Sequence, residues 1–216
     1  MYIYGPEHIL KQRIKAVEEL LITIPAKYYL ISGSFLHKEK YHDIDIFVIS
    51  RTKKSIPKST TKVNIHIIDF NDLYSLFYHS ITKSCIASNI LPTKPLKVTI
   101  ANYWEVINEA IPTLLNNRDK FHKHIRSLIL YTEYFQTGQI PDSFELDQKI
   151  HDFKNTKEII QYINKNIPTI IRKHATKSYR KRFFYTKASI YKEHQEYEAQ
   201  RFLYQLTHSI ARSSDG

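Results

Sequence analysis

Cysteine is almost absent from this chain: one residue, Cys85, in 216. A lone cysteine closes no internal disulfide, which excludes a small secreted scaffold held by bridges and fits a reducing compartment. Glycine is nearly as scarce, with four residues, Gly5, Gly33, Gly138 and Gly216. Glycine-rich phosphate loops of the P-loop or dinucleotide-binding type need clustered glycines, and these four stand far apart. No apolar run approaches the ~20 residues that cross a bilayer, so no membrane association is expected. The opening MYIYGPEHIL has neither the basic start nor the apolar centre of an export signal, and a cytoplasmic location is expected. Acids are in deficit: 21 Asp and Glu against 32 Lys and Arg leave a formal net charge of +11.

What is present points to a folded protein. Hydrophobic residues make up 42% of the chain, charged residues 25% and aromatics 13%, a balance that can bury a core. Residues 7–21 place Ile9, Ile14, Val17, Leu20 and Leu21 at helical spacing. Residues 27–32, 43–50 and 62–70 read as strands, separated by polar turns. Asn71 and Asp72 are expected to cap a helix through Leu73, Leu76 and Phe77. Residues 95–101 read equally as a fourth strand or a linking segment. Beyond residue 101 the strand pattern stops, and helices are expected over 102–116, 119–137, 155–166 and 184–211, with Pro141 and Pro168 interrupting. The expected fold class is α/β in the broad sense (α+β): a mixed sheet with helices in residues 1–95, then a basic helical bundle in residues 96–216.

The residues that carry chemistry lie between 30 and 70. A strand ends in Gly33-Ser34, and Asp43-Ile44-Asp45 opens the next one. Side chains two apart on a strand share a face, so the two carboxylates project together. Paired carboxylate oxygens suit Mg²⁺ when phosphate and water complete its shell. Gly33 lets backbone come close to a phosphate, and Ser34 offers a hydroxyl and an amide at the start of a helix.

Gly-Ser, a short spacer and an Asp-x-Asp flanked by apolar residues resemble the nucleotidyltransferase superfamily of DNA polymerase beta, most closely its minimal prokaryotic members. The resemblance covers about residues 7–75. It implies a small mixed sheet and transfer of a nucleoside monophosphate from an NTP to a hydroxyl of RNA or of a partner protein, with Mg²⁺ as cofactor. It further implies a place in a toxin–antitoxin or defence module. By resemblance, Gly33 and Ser34 hold the triphosphate, while Asp43 and Asp45 hold the metal and are catalytic. The bland reading makes the two acids solvated strand-start residues and Gly33 an ordinary turn.

One departure from the family pattern stands out. The third family carboxylate belongs on the strand Val63–Phe70, and its slot falls on His66. Asp69, three residues on, faces the other way on a regular strand. A histidine can take a proton or ligate a metal but brings no negative charge at neutral pH. Either His66 serves as the third catalytic group, or it is simply satisfied within the sheet and the site is weakened.

The second half has its own signal. No acid occurs between Glu158 and Glu193, while basic residues there alternate with tyrosines and phenylalanines. Lys177, Arg180, Lys181 and Arg182 form the densest group and are the candidate nucleic-acid contacts, with RNA or another acidic molecule as partner. The structural alternative is a solvated face with its aromatics turned inward. A non-catalytic nucleotide- or nucleic-acid-binding module is the alternative function. A helical RNase resembling the HEPN group is another, since Arg118 with His124 and Arg201 with His208 match that group's loose spacing. The pairs His122 with His124 and His37 with His42 lack the companion acids or cysteines of a metal site and are expected to be ordinary surface or core residues.

Overall fold

The inner strands of the β-sheet are buried on both faces, and their apolar runs follow from that. A computed structural model of the chain describes residues 1–5, 8–22, 24, 26–51, 62–116, 122, 125–176, 201–203, 205–206 and 210. Five strands are formed: β1 (Tyr2–Tyr4), β2 (Tyr29–Ser32), β3 (Ile44–Ile49), β4 (Val63–Ile68) and β5 (Cys85–Ala87). Their order across the sheet is β1-β5-β2-β3-β4. All neighbours are antiparallel except β3 and β4, which run parallel. With its helices, this mixed sheet makes the protein α+β.

Strand parity divides the core in two. Ile31, Ile46, Val48 and Ile86 face one side, where they meet Val17 and Leu21 of helix α1 (Lys11–Leu21). Phe35 and Leu36 of the one-turn helix α2 (Ser34–His37) pack in the same cluster. Leu30, Phe47, Ile49, Ile68 and Cys85 face the other side, against Leu73 and against Tyr78 and Ile81 of helix α3 (Leu76–Ile81). The three longest strands fall within the expected segments. β1 and β5 were not legible, because three residues are too few to show alternation.

One local expectation changes and one open reading is resolved. Asn71 and Asp72 do not start a long helix: Asp72–Tyr74 form a 3-10 turn, and α3 begins afresh on Ser75, whose Oγ accepts from Tyr78 N at 3.1 Å. Of the two readings of residues 95–101, the linking segment holds: 95–99 form no strand, and helix α4 (Ile100–Asn116) begins at their end.

The chain divides into two compact units. The first is Met1–Val98 with Ile140–Gln148, and the second is Thr99–Gln139 with Lys149–Gly216. Segment 140–148 therefore groups with the sheet although it lies far along the chain. Ser80 Oγ donates to Pro141 O at 2.6 Å, and Ser143 Oγ lies 3.0 Å from Ser32 Oγ. Asp142 and Glu145 cap each other's backbone N–H groups at 2.8 and 2.9 Å, a reciprocal capping box that starts helix α6 (Ser143–His151). That helix was not anticipated from the sequence.

In the second unit, α4 packs with α5 (Arg126–Thr137) and α7 (Thr156–His174). The Tyr103 ring lies between α4 and α5, stacked on Phe135 at 5.3 Å, and its hydroxyl is 2.7 Å from Thr132 Oγ1. Helix α5 ends on Gly138, whose φ of 73° suits a left-handed cap. Helix α7 does not stop before Pro168, as expected, but runs through it to His174. A proline removes one helical hydrogen bond, yet buried Ile159, Ile163, Ile167, Ile170 and Ile171 form one apolar face across it, and their burial carries the helix onward. No strand follows Ala87 among the described residues. The helix expected over 184–211 lies mostly outside them. Within the described residues no helix is long and apolar enough to cross a membrane.

Two outcomes follow from this packing. Ile31 is 0% exposed, so Ile31→Ala should lower unfolding stability by about 2–5 kcal/mol in a urea titration. Ile22→Ala, at a site 84% exposed, should stay within about 0.5 kcal/mol of the wild type. Equal effects would contradict the assignment of faces. Cys85 is fully buried, and burial pushes its thiol well above the ordinary range. A thiol reagent at neutral pH should therefore label the native protein only as fast as it unfolds, and fast labelling without denaturant would refute this burial.

Candidate active site

The site is built at one end of β2 and β3. Strand β2 stops because Gly33 takes φ 94° and ψ −164°, a conformation essentially closed to residues with a Cβ. The chain then turns directly into α2, where Leu36 N donates to Gly33 O at 3.1 Å and Lys38 N to Ser34 O at 2.8 Å. Arg13 of α1 holds the loop that follows. Its Nη2 donates to Glu39 O at 3.1 Å, and its guanidinium lies 5.0 Å from the Phe35 ring and 4.7 Å from the Tyr41 ring. This clamp ties the loop to α1 shortly before the chain re-enters the sheet at Ile44.

Antiparallel pairing puts Asp45 directly opposite Ser32, at the Gly33 end of the hairpin. A Cβ placed on Gly33 would sit 3.5 Å from Asp45 Oδ2, so this carboxylate oxygen faces the glycine backbone. The other oxygen, Oδ1, lies 2.9 Å from His66 Nε2 on the neighbouring strand. A carboxylate oxygen only accepts, so the proton of this bond sits on Nε2, and Nδ1 is left as the acceptor of the neutral ring. Asp43 is treated alike: Asn64 Nδ2 donates to its Oδ2 at 2.7 Å. In the parallel register Asp45 pairs with Asn64 and Phe47 with His66. Each β4 side chain therefore reaches diagonally back by two residues to an acid, a reach that sheet neighbours allow.

His66 is in turn fixed by a third ring. Phe47 stacks on it, with centroids 5.0 Å apart and planes inclined by 23°. Phe47 in turn meets Phe77, 5.6 Å away and edge-on. The His66 side chain is 48% exposed and that of Asp45 34%.

The structure thus brings together Gly33, Asp43, Asp45 and His66, with Ser34 next along the chain at the start of α2. Asp69 takes no part. Its Oδ1 accepts from Asn71 N at 2.9 Å, and its own N donates to Asp72 Oδ2 at 3.0 Å, so it caps the turn after β4. Asn64 and Phe47 were missed as members of the cluster. Parity alone could have found them, since Asn64 lies two before His66 and Phe47 two after Asp45. Lys177, Arg180, Lys181 and Arg182 lie outside the described residues, as do Arg118, His124 and His208. His37 is a core residue, edge-on to Phe144 at 5.2 Å and 3.5 Å from Asp147 Oδ2.

Mg²⁺ is the cation to test against this donor set, because one or two carboxylates with phosphate and water are its usual ligands. Asp43 and Asp45 each retain one oxygen outside the bonds to Asn64 and His66. Two such oxygens are the donor type that one Mg²⁺ would take beside phosphate and water. His66 Nε2 is committed to Asp45, so that nitrogen is not a ligand. Among the described residues no group of three or more His, Cys, Asp or Glu side chains could hold a metal ion. Compared with known protein families, curated proteins and solved structures, the chain matches none.

Gly33→Ala tests the hinge of the site. A Cβ at 3.5 Å from Asp45 Oδ2 is ordinary contact, so the penalty falls on the backbone. Stability should drop by about 1–3 kcal/mol in chemical denaturation, and an unchanged midpoint would mean that the residue relaxes out of this conformation.

Proposed function

We propose that the protein is a nucleotidyltransferase of the DNA polymerase beta type, moving a nucleoside monophosphate from an NTP to a hydroxyl of RNA or of a partner protein. The observation that carries this reading is the division of Asp45. One oxygen faces the backbone of Gly33, where a phosphate can come close, and the other is anchored by His66. On this reading Gly33 and Ser34 receive the triphosphate. Asp43 and Asp45 would hold Mg²⁺, which neutralises charge on the phosphates when bound. The acceptor oxygen attacks the α-phosphorus, the bond to the β-phosphate oxygen breaks, and pyrophosphate leaves. The acceptor proton passes to water. His66 acts as a positioning residue, keeping Asp45 in one rotamer as an outer-shell donor does. The net charge of +11 favours a polyanionic acceptor, and the single buried cysteine fits a cytoplasmic setting.

A second reading has its own support. Asn64 and His66 supply donors where a third carboxylate would bring charge, and Asp69 is committed to its turn. A site balanced in this way suits a nucleotide-binding module that does no chemistry.

The test uses NTPs labelled at the α-phosphate, incubated with total RNA or cell extract. Label should move to a macromolecule with the wild type and with Asp69→Ala. Asp43→Ala and Asp45→Ala should lose it. His66→Ala should cost about 10–100-fold, the usual effect of removing an outer-shell partner. His66→Gln, whose amide still donates, should recover most of it. NTP binding without transfer would favour the binding module, and cleavage of the RNA would favour an RNase.

A further inference from the structure

We infer that the His66 ring is a stacking platform for an unpaired nucleobase, brought either by the NTP or by the end of an RNA strand. The inference rests on the reading of the carboxylate site as nucleotide-binding, but it uses a different part of the residue: the ring face and not the Nε2 bond. Three observations converge on it. The ring plane is fixed twice, by Nε2 on Asp45 Oδ1 at 2.9 Å and by Phe47 stacked at 5.0 Å. Phe47 is only 7% exposed and meets Phe77 edge-on, so it backs the histidine as a rigid support. Strand β4 is the last strand of the sheet, and the His66 side chain is 48% exposed although its inner face is covered.

A cross-strand aromatic pair made only for packing explains the covered face. It does not explain why the outer ring of the stack is held in register with a carboxylate while remaining open. A planar group whose orientation is set before binding loses little freedom when a second ring lands on it. Nucleobases are such rings, and stacking accepts any of them because each has a π-face. The anionic groups attached to a base would lie beside Gly33 and Asp45, next to this ring. The platform therefore selects for an unpaired base without reading its identity.

The experiment uses the full chain and the fluorescent base aminopurine, whose emission is quenched by stacking. One arm carries it as the riboside triphosphate with Mg²⁺. The other carries it as the unpaired terminal nucleotide of a short oligoribonucleotide. Binding should quench one or both probes, and the probe quenched identifies the source of the base. His66→Ala should abolish the quench and weaken binding of that probe about five- to hundred-fold, the range that base–aromatic stacking supplies. His66→Phe keeps a ring without the bond to Asp45 and should preserve the quench. His66→Gln keeps a donor without a ring and should lose it, the reverse of its expected effect on label transfer. That reversal separates the two readings: stacking without transfer would overturn the transferase alone, and transfer without stacking would overturn the platform alone. An unchanged quench in His66→Ala overturns the platform. So does His66-dependent binding of a tyrosine-containing peptide with neither probe quenched, which would point to a protein ligand.

Discussion

The register between β3 and β4 is the constraint on which the candidate site depends. The two strands run parallel, so no tight hairpin turn fixes their alignment, and burial must do it. Ile44, Ile46 and Val48 on one face and Phe47 and Ile49 on the other each need their own side of the sheet. A slip of one residue would turn Asn64 and His66 toward the α1 side and bring isoleucines against Asp43 and Asp45. The hydrogen bonds of the acids are weak compared with that penalty. The polar cluster is therefore held by the apolar residues between its members, and its own bonds only trim the final geometry.

The charge arrangement follows from the same register. Two carboxylates close together repel, and a protein must offset them with cations, donors or a metal. Here Asn64 and His66 supply donors to one oxygen of each acid and leave the other oxygen of each turned elsewhere. The acids are thus offset by donors without a metal, and on the proposed reading their remaining oxygens would take one cation. Asp69 shows how local turn chemistry competes for an acid: adjacent backbone N–H groups recruit it as a cap, and the site goes without a third carboxylate.

How much of this was legible depended on length and parity. β2, β3 and β4 alternate or run apolar over enough residues to be read, and the Gly33-Ser34 and Asp43-Ile44-Asp45 segments sit at their ends. His66 was placed beside the acids because the slot of the family's third carboxylate falls on it. β1 and β5 were hidden by brevity. Helix α6 was hidden for another reason: Pro141 reads as a breaker, and only the mutual capping of Asp142 and Glu145 turns it into a helix start. Pro168 misled in the opposite direction, because the apolar face of α7 outweighs one lost hydrogen bond. Phe47 is buried in the core; its contact with His66 depends on which ring lies across from it, which no single strand reveals.

Segment Ile140–Gln148 gives the first unit an unusual history. Its sheet is assembled from residues before 88, yet Ser32 and Ser80 find partners in Ser143 and Pro141, which are synthesised more than forty residues later. During translation the sheet can pair before this segment exists, with Ser32 Oγ already donating to Ser84 O, but the surface the segment covers stays open until the intervening helices α4 and α5 have emerged. Such long separations raise contact order and slow closure, and they leave a window in which chaperones or unwanted partners can reach that surface. The order of synthesis thus makes completion of the sheet-bearing unit a late event, conditional on a segment made long after its last strand.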